Sequence, residues 1–104
     1  GMQRNKGAEQ QLGLEVRNLT EDLAGRLGFE DAEGVVISGV RPGSIAAMSG
    51  LRTGMLITEV NGNKVNNIRD FASEIRKAKD NDSVRLLINN GNFTQYIVLE
   101  FPKD

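Results

Sequence analysis

The segment from Gly34 to Gly62 sets the tightest limit on what this chain can become. Two short apolar runs, Val35-Val36-Ile37-Ser38-Gly39-Val40 and Met55-Leu56-Ile57-Thr58-Glu59-Val60, alternate there with the turn residues Arg41-Pro42-Gly43 and Asn61-Gly62. Runs of that length rich in β-branched residues read as strands, and Asn-Gly is a strong turn pair because both residues tolerate positive φ. Between them Ser44 is placed to cap a two-turn helix through Ile45, Ala46, Ala47 and Met48, with a stop at Gly50. Elements this short bury a core only by packing on one another, which confines the chain to a small, mainly β fold.

The flanking sequence extends that pattern. Residues 1–10, GMQRNKGAEQ, show no apolar period and read as a linker remnant behind a Gly1-Met2 cloning scar, so the folded domain is expected over 11–104. Leu14 and Val16 alternate with Glu15 and Arg17, a half-buried strand over 13–18. Thr20, followed by Glu21-Asp22, starts a short helix through Leu23 and Leu27 that Gly28 closes. From Asn67 onward Ile68, Phe71, Ala72, Ile75 and Ala78 share one helical face, and Arg76, Lys77 and Lys79 suit the negative end of the helix dipole. Val84 to Ile88 and Thr94 to Phe101 form a hairpin across Asn90-Gly91-Asn92. The expected architecture is a small five-stranded, partly open β-barrel or sandwich capped by one long and two short helices.

Several chemistries are excluded outright. At 104 residues there is room for one core. Thirteen Lys+Arg stand against 14 Asp+Glu, a net charge of −1, so no summed field draws nucleic acid or an anionic membrane. Cysteine and histidine are absent, which removes thiol nucleophiles, disulfides, Cys/His zinc sites and the imidazole base of a catalytic triad. No catalytic residue, metal or cofactor is expected in this chain. Thr20 and Ser44 read as helix caps, and Asp70 with Glu74 sits among Arg69, Arg76 and Lys77 as a solvated charged face. Arg4 and Lys6 read as solvated linker residues.

One short motif points to binding. In Gln11-Leu12-Gly13-Leu14 a glycine between apolar residues lets successive backbone N–H groups turn toward one point, a nest suited to a peptide's terminal carboxylate. The run Gly39 to Gly62, with its Pro42-Gly43-Ser44, Ala46-Ala47, Gly50-Leu51, Gly54 and Val60-Asn61-Gly62, resembles the PDZ core signature PGSxAAxAGLxxGDxIxxVNG. Met55 and Ile45 depart from it, where an acidic residue and a proline are common. With the loop upstream and the helix downstream, the resemblance spans residues 11–101.

The resemblance carries further expectations. Only ten polar residues precede Gln11, so the strand that animal PDZ domains place first would be supplied by Gln95 to Phe101, the circularly permuted bacterial topology. The opening loop, strand and Thr20 helix look most like PDZ domains of Deg/HtrA serine proteases. C-terminal processing proteases, site-2 proteases and secretion components remain alternative parents. The implied carboxylate-binding loop is Gln11, Leu12, Gly13 and Leu14, and the implied peptide groove is Glu15, Val16, Arg17, Ile68, Phe71, Ala72 and Ile75. Ile68 falls where a histidine would select Ser/Thr in a ligand, which implies a hydrophobic preference instead. The implied partners are peptide C-termini or unfolded segments with hydrophobic ends and a parent protease domain, in the periplasm or cell envelope. A scaffolding or oligomer-contact domain with an unused groove is the second open reading.

Overall fold

The computed structural model describes residues 7–102. In chain order the elements are α1 Gly7–Leu12, β1 Leu14–Asn18, α2 Glu21–Leu27, β2 Val35–Val40, α3 Ile45–Met48, β3 Leu56–Val60, β4 Asn63–Lys64, α4 Ile68–Lys79, β5 Ser83–Asn89 and β6 Thr94–Glu100. All strand pairs are antiparallel, in the order β1-β2-β3-β5-β6, with β4 paired to β3.

Among the described helices α2, α3 and α4 start where the sequence chemistry places them. The Thr20 side chain accepts from Leu23 N–H at 3.2 Å, Ser44 from Ala47 N–H at 3.1 Å and Asn67 from Asp70 N–H at 2.8 Å. Asp70 also accepts from the Asn66 N–H at 3.0 Å, so α4 is capped from both sides of its first turn. Glu74 accepts from Asn63 Nδ2 and pairs with Lys77. Both acids therefore hold local structure.

The core follows the periods of the elements. Phe71, Ile75 and Ala78 bury one face of α4 against Leu12, Leu14, Ile37, Leu86, Ile88 and Leu99. β5 alternates, with Val84, Leu86 and Ile88 inside. In β2, Val35, Val36 and Ile37 are all buried, because both sheet faces are covered there. Val36 pairs with Leu56 and packs beneath Phe29, under α2.

Two elements differ from the sequence expectation. The sheet has six strands rather than five, since β4 is an exposed two-residue return after Asn61-Gly62, too short to show alternation. Residues 7–10 are not linker: they belong to α1. A six-residue helix has no apolar period to read. It is held by Leu12, which is fully buried, and by packing on α4, β1 and α3. Arg4 and Lys6 lie outside the described residues.

The last strand is a full member of the sheet, antiparallel to β5 from Ser83↔Glu100 to Asn89↔Thr94. It carries buried Leu99, and Phe101 follows it into the core. Deleting residues 94–104 should therefore abolish the cooperative thermal transition followed by circular dichroism. A folded C-terminal deletion would contradict this account of the sheet.

Candidate functional site

Gly13 is the point from which the site is built. α1 ends at Leu12 and Gly13 takes φ +84°, the left-handed conformation in which helices commonly stop. Its N–H donates to the Glu9 and Gln10 carbonyls, both at 3.1 Å, and its own carbonyl accepts from Arg41 N–H at 2.9 Å. An added Cβ would run into Cβ and Oγ of Ser44, the cap of α3. The end of α1, the start of β1 and the N-terminus of α3 thus meet at a backbone with no side chain.

The Arg41 bond also decides which way β1 faces. With Arg41 N–H bonded to Gly13, Leu14↔Val40 is a pair whose own amides point away from each other. The Leu14 N–H and C=O are directed to the side where β1 has no neighbouring strand, since β1 pairs only with β2. α4 lies along that side. Together they bound a shallow groove of about 690 Å³ lined by Glu9, Val16, Asn18, Asn67, Ile68, Arg69 and Ala72. At one end Asn18 Oδ1 accepts from Ile68 N–H at 2.8 Å. A second hollow of about 610 Å³ wraps the start of β1 and shares Glu9 and Val16 with the first.

The residues singled out from sequence fall in different places. Val16, Ile68 and Ala72 come together in the groove, and Ile68 is 44% exposed there. Phe71 and Ile75 are fully packed into the core beneath it. Leu12 and Leu14 are also core, Gln11 is exposed on α1, and Glu15 lines the second hollow. Arg17 is exposed and lines neither. The Gly13 N–H is engaged by α1. Sequence reading missed Glu9, Asn18, Asn67 and Arg69. For Glu9 the signal was present: Ala8-Glu9-Gln10-Gln11-Leu12 are good helix formers ended by a glycine.

Charge at the groove comes from α1 and α4. Burial raises the Glu9 carboxyl above its ordinary value of 4.5, and the Arg76 guanidinium pulls it part of the way back. Arg69 adds a cation at the other end. Among the described residues no group of three or more His, Cys, Asp or Glu could hold a metal ion.

The fold has counterparts among known proteins. The PDZ domain family model matches residues 2–89. The "Probable periplasmic serine endoprotease DegP-like" of Chlamydia pneumoniae is 37% identical over 94 residues, covering 89% of this chain and 19% of that protein. Its namesake from Chlamydia muridarum is 32% identical over the same shares. The chain thus spans about a fifth of the length of these relatives. Among solved structures, "HtrA-type protease AlgW with decapeptide" superposes with a TM-score of 0.73 at 25% identity, covering 89% of this chain and 29% of that one. The HtrA3 PDZ domain bound to the phage-derived ligand FGRWV superposes at 0.69 and 23% identity, covering 86% and 81%, and shows the shared fold.

Two outcomes follow from the site. Gly13→Val should lower stability by a few kcal/mol in denaturant titrations, because it adds a backbone strain of about 1–3 kcal/mol to the collision with Ser44. Gly28→Ala, whose Cβ meets open space at φ +80°, carries only the backbone penalty and should fall nearer 1 kcal/mol. Equal losses would mean that Ser44 yields freely. The Glu9 carboxyl has its folded pKa above its unfolded one, so its contribution is fully present below about pH 4.5 and is lost as pH rises through the raised value. Glu9→Gln should therefore gain thermal stability relative to the native chain as pH is raised from about 4 to about 7. A gap that stays constant across that range would contradict the burial of Glu9.

Proposed function

The chain belongs to the PDZ domain family, and on that footing we propose that it is the peptide-binding module of a longer Deg/HtrA-type serine endoprotease. In this reading an extended polypeptide adds antiparallel to the free edge of β1, its end toward Gly13 and its side chains in the groove facing Ile68 and Ala72. The observation that carries the proposal is the unpaired edge of β1, where the Leu14 N–H and C=O point outward, facing a helix that presents the exposed apolar residue Ile68 at the far end of the strand. Main-chain bonding along β1 supplies affinity without regard to sequence, and the groove supplies selection.

The terminal carboxylate is held by the amides of Leu12, Gly13 and Leu14. In the structure Gly13 N–H is spent on α1, so capture exchanges the Glu9 and Gln10 carbonyls for the ligand's oxygens. A six-residue helix is marginal by itself, which makes opening its last turn a modest requirement. Glu9 must also withdraw or be protonated, since two carboxylates at one end of a groove repel. The role in the parent is to recognise C-termini or unfolded segments and to present them to, or regulate, the protease domain. Location in the periplasm accords with the names of the relatives.

Two observations favour a second reading, an assembly-contact domain whose groove is not used: the Gly13 amide is already satisfied and Glu9 already lines the groove. Matched peptides with free and amidated C-termini separate the two. Fluorescence polarisation should show Kd on the order of micromolar for free-acid peptides with hydrophobic residues at the last and third-from-last positions, and weaker binding for each amide. Ile68→His should shift the inner preference toward Ser/Thr by adding a hydrogen-bond donor to the groove. Equal affinity within every acid and amide pair would remove the carboxylate anchor, and binding by none would favour the assembly-contact reading.

A further inference from the structure

The hydrogen bond between Asn18 and Ile68 joins residues 50 positions apart, at an exposed place where neither needs the other. An α-helix leaves its first N–H groups without helical partners. In α4 the chain satisfies one of them locally, Asp70 N–H by the Asn67 side chain, and the helical ladder itself begins with Phe71 N–H on the Asn67 carbonyl. Ile68 N–H stands at the surface, where water would serve nearly as well, because exchanging one hydrogen-bond partner for another returns little net stability. The chain nevertheless meets it with the side chain of the last residue of β1, at 2.8 Å.

What such a bond adds is geometry. Among the described residues no other hydrogen bond joins β1 to α4. The rest of their contact is apolar, with Val16 packed on the core cluster that contains Phe71 and Ile75, and apolar contact is non-directional, so it sets the separation less sharply than a bond of defined length and angle. The tie falls inside the groove lining, at the end formed by Asn18, Asn67, Ile68 and Arg69. We infer that Asn18 is a positioning residue of the groove: its Oδ1 clamps the end of β1 to the first turn of α4 and sets the width available to a ligand's inner side chains. The consequence for ligands rests on the strand-addition reading above. The clamp itself does not.

Replacement by Ala and by Asp tests it, because Asp keeps the acceptor oxygen and removes the side-chain NH2. Without any ligand, Asn18→Ala should speed hydrogen exchange at the Ile68 amide about 5-fold and lengthen the Val16 to Ala72 methyl separation measured by NMR, while Asn18→Asp retains both native values. With free-acid peptides, Asn18→Ala should weaken small hydrophobic inner residues about 5-fold relative to bulky ones at an unchanged thermal midpoint, and Asn18→Asp should restore the native order. Unchanged exchange and spacing in Asn18→Ala would overturn the clamp. So would loss of binding in both variants alike, which would assign the effect to the NH2 group, or a uniform loss for all peptides that tracks a falling midpoint. A native chain that binds no peptide would sink the strand-addition reading, and the exchange and spacing measurements would still decide the clamp.

Discussion

Everything at the working end of this domain depends on a backbone turn that admits no side chain. Gly13 reverses the chain from α1 into β1 with a left-handed φ, and it does so in contact with Ser44, whose own hydroxyl caps α3. The same residue accepts the Arg41 N–H that sets the β1–β2 register and so turns the Leu14 amide toward the open edge. Conformation, close approach and strand orientation are three separate demands, and glycine alone meets them together.

The groove inherits its character from the core below it. Phe71 and Ile75 are buried on the inner side of α4, so they support the floor, while Ile68 and Ala72, one turn apart, are what the helix presents to a visitor. That division leaves a shallow, partly apolar slot with polar ends, Glu9 near Arg76 at one and Asn18, Asn67 and Arg69 at the other. A slot of this kind suits an extended chain that brings its own backbone hydrogen bonds better than a compact small molecule, which needs deeper enclosure.

The occupation of Gly13 by α1 bears on how such a slot is used. On the strand-addition reading proposed above, a ligand carboxylate competes with two carbonyls of the domain's own chain, and the free energy of opening α1 is subtracted from the affinity. Whatever stabilises α1 weakens binding, and whatever draws it aside strengthens binding.

Most elements were legible in the sequence because their causes are local. Thr20, Ser44 and Asn67 before apolar periods mark helix starts, Asn61-Gly62 marks a turn, and the alternation of Val84, Leu86 and Ile88 marks a half-buried strand. The run from Gly39 to Gly62 was enough to place the family. α1 carried only a faint signal, helix formers closed by Gly13, since six polar-rich residues have no apolar period and are held by the burial of Leu12 against partners distant in sequence. For the same reason sequence could place Phe71, Ala72 and Ile75 on one helical face but not say which sit under the groove and which in it. It could name the amides at Leu12, Gly13 and Leu14 but not show that the first two were already taken by α1. Patterns of residue type determine which elements form and which faces are apolar; only the packed chain decides which groups are left unspent, because a hydrogen bond such as Asn18 to Ile68 depends on two backbones meeting in space.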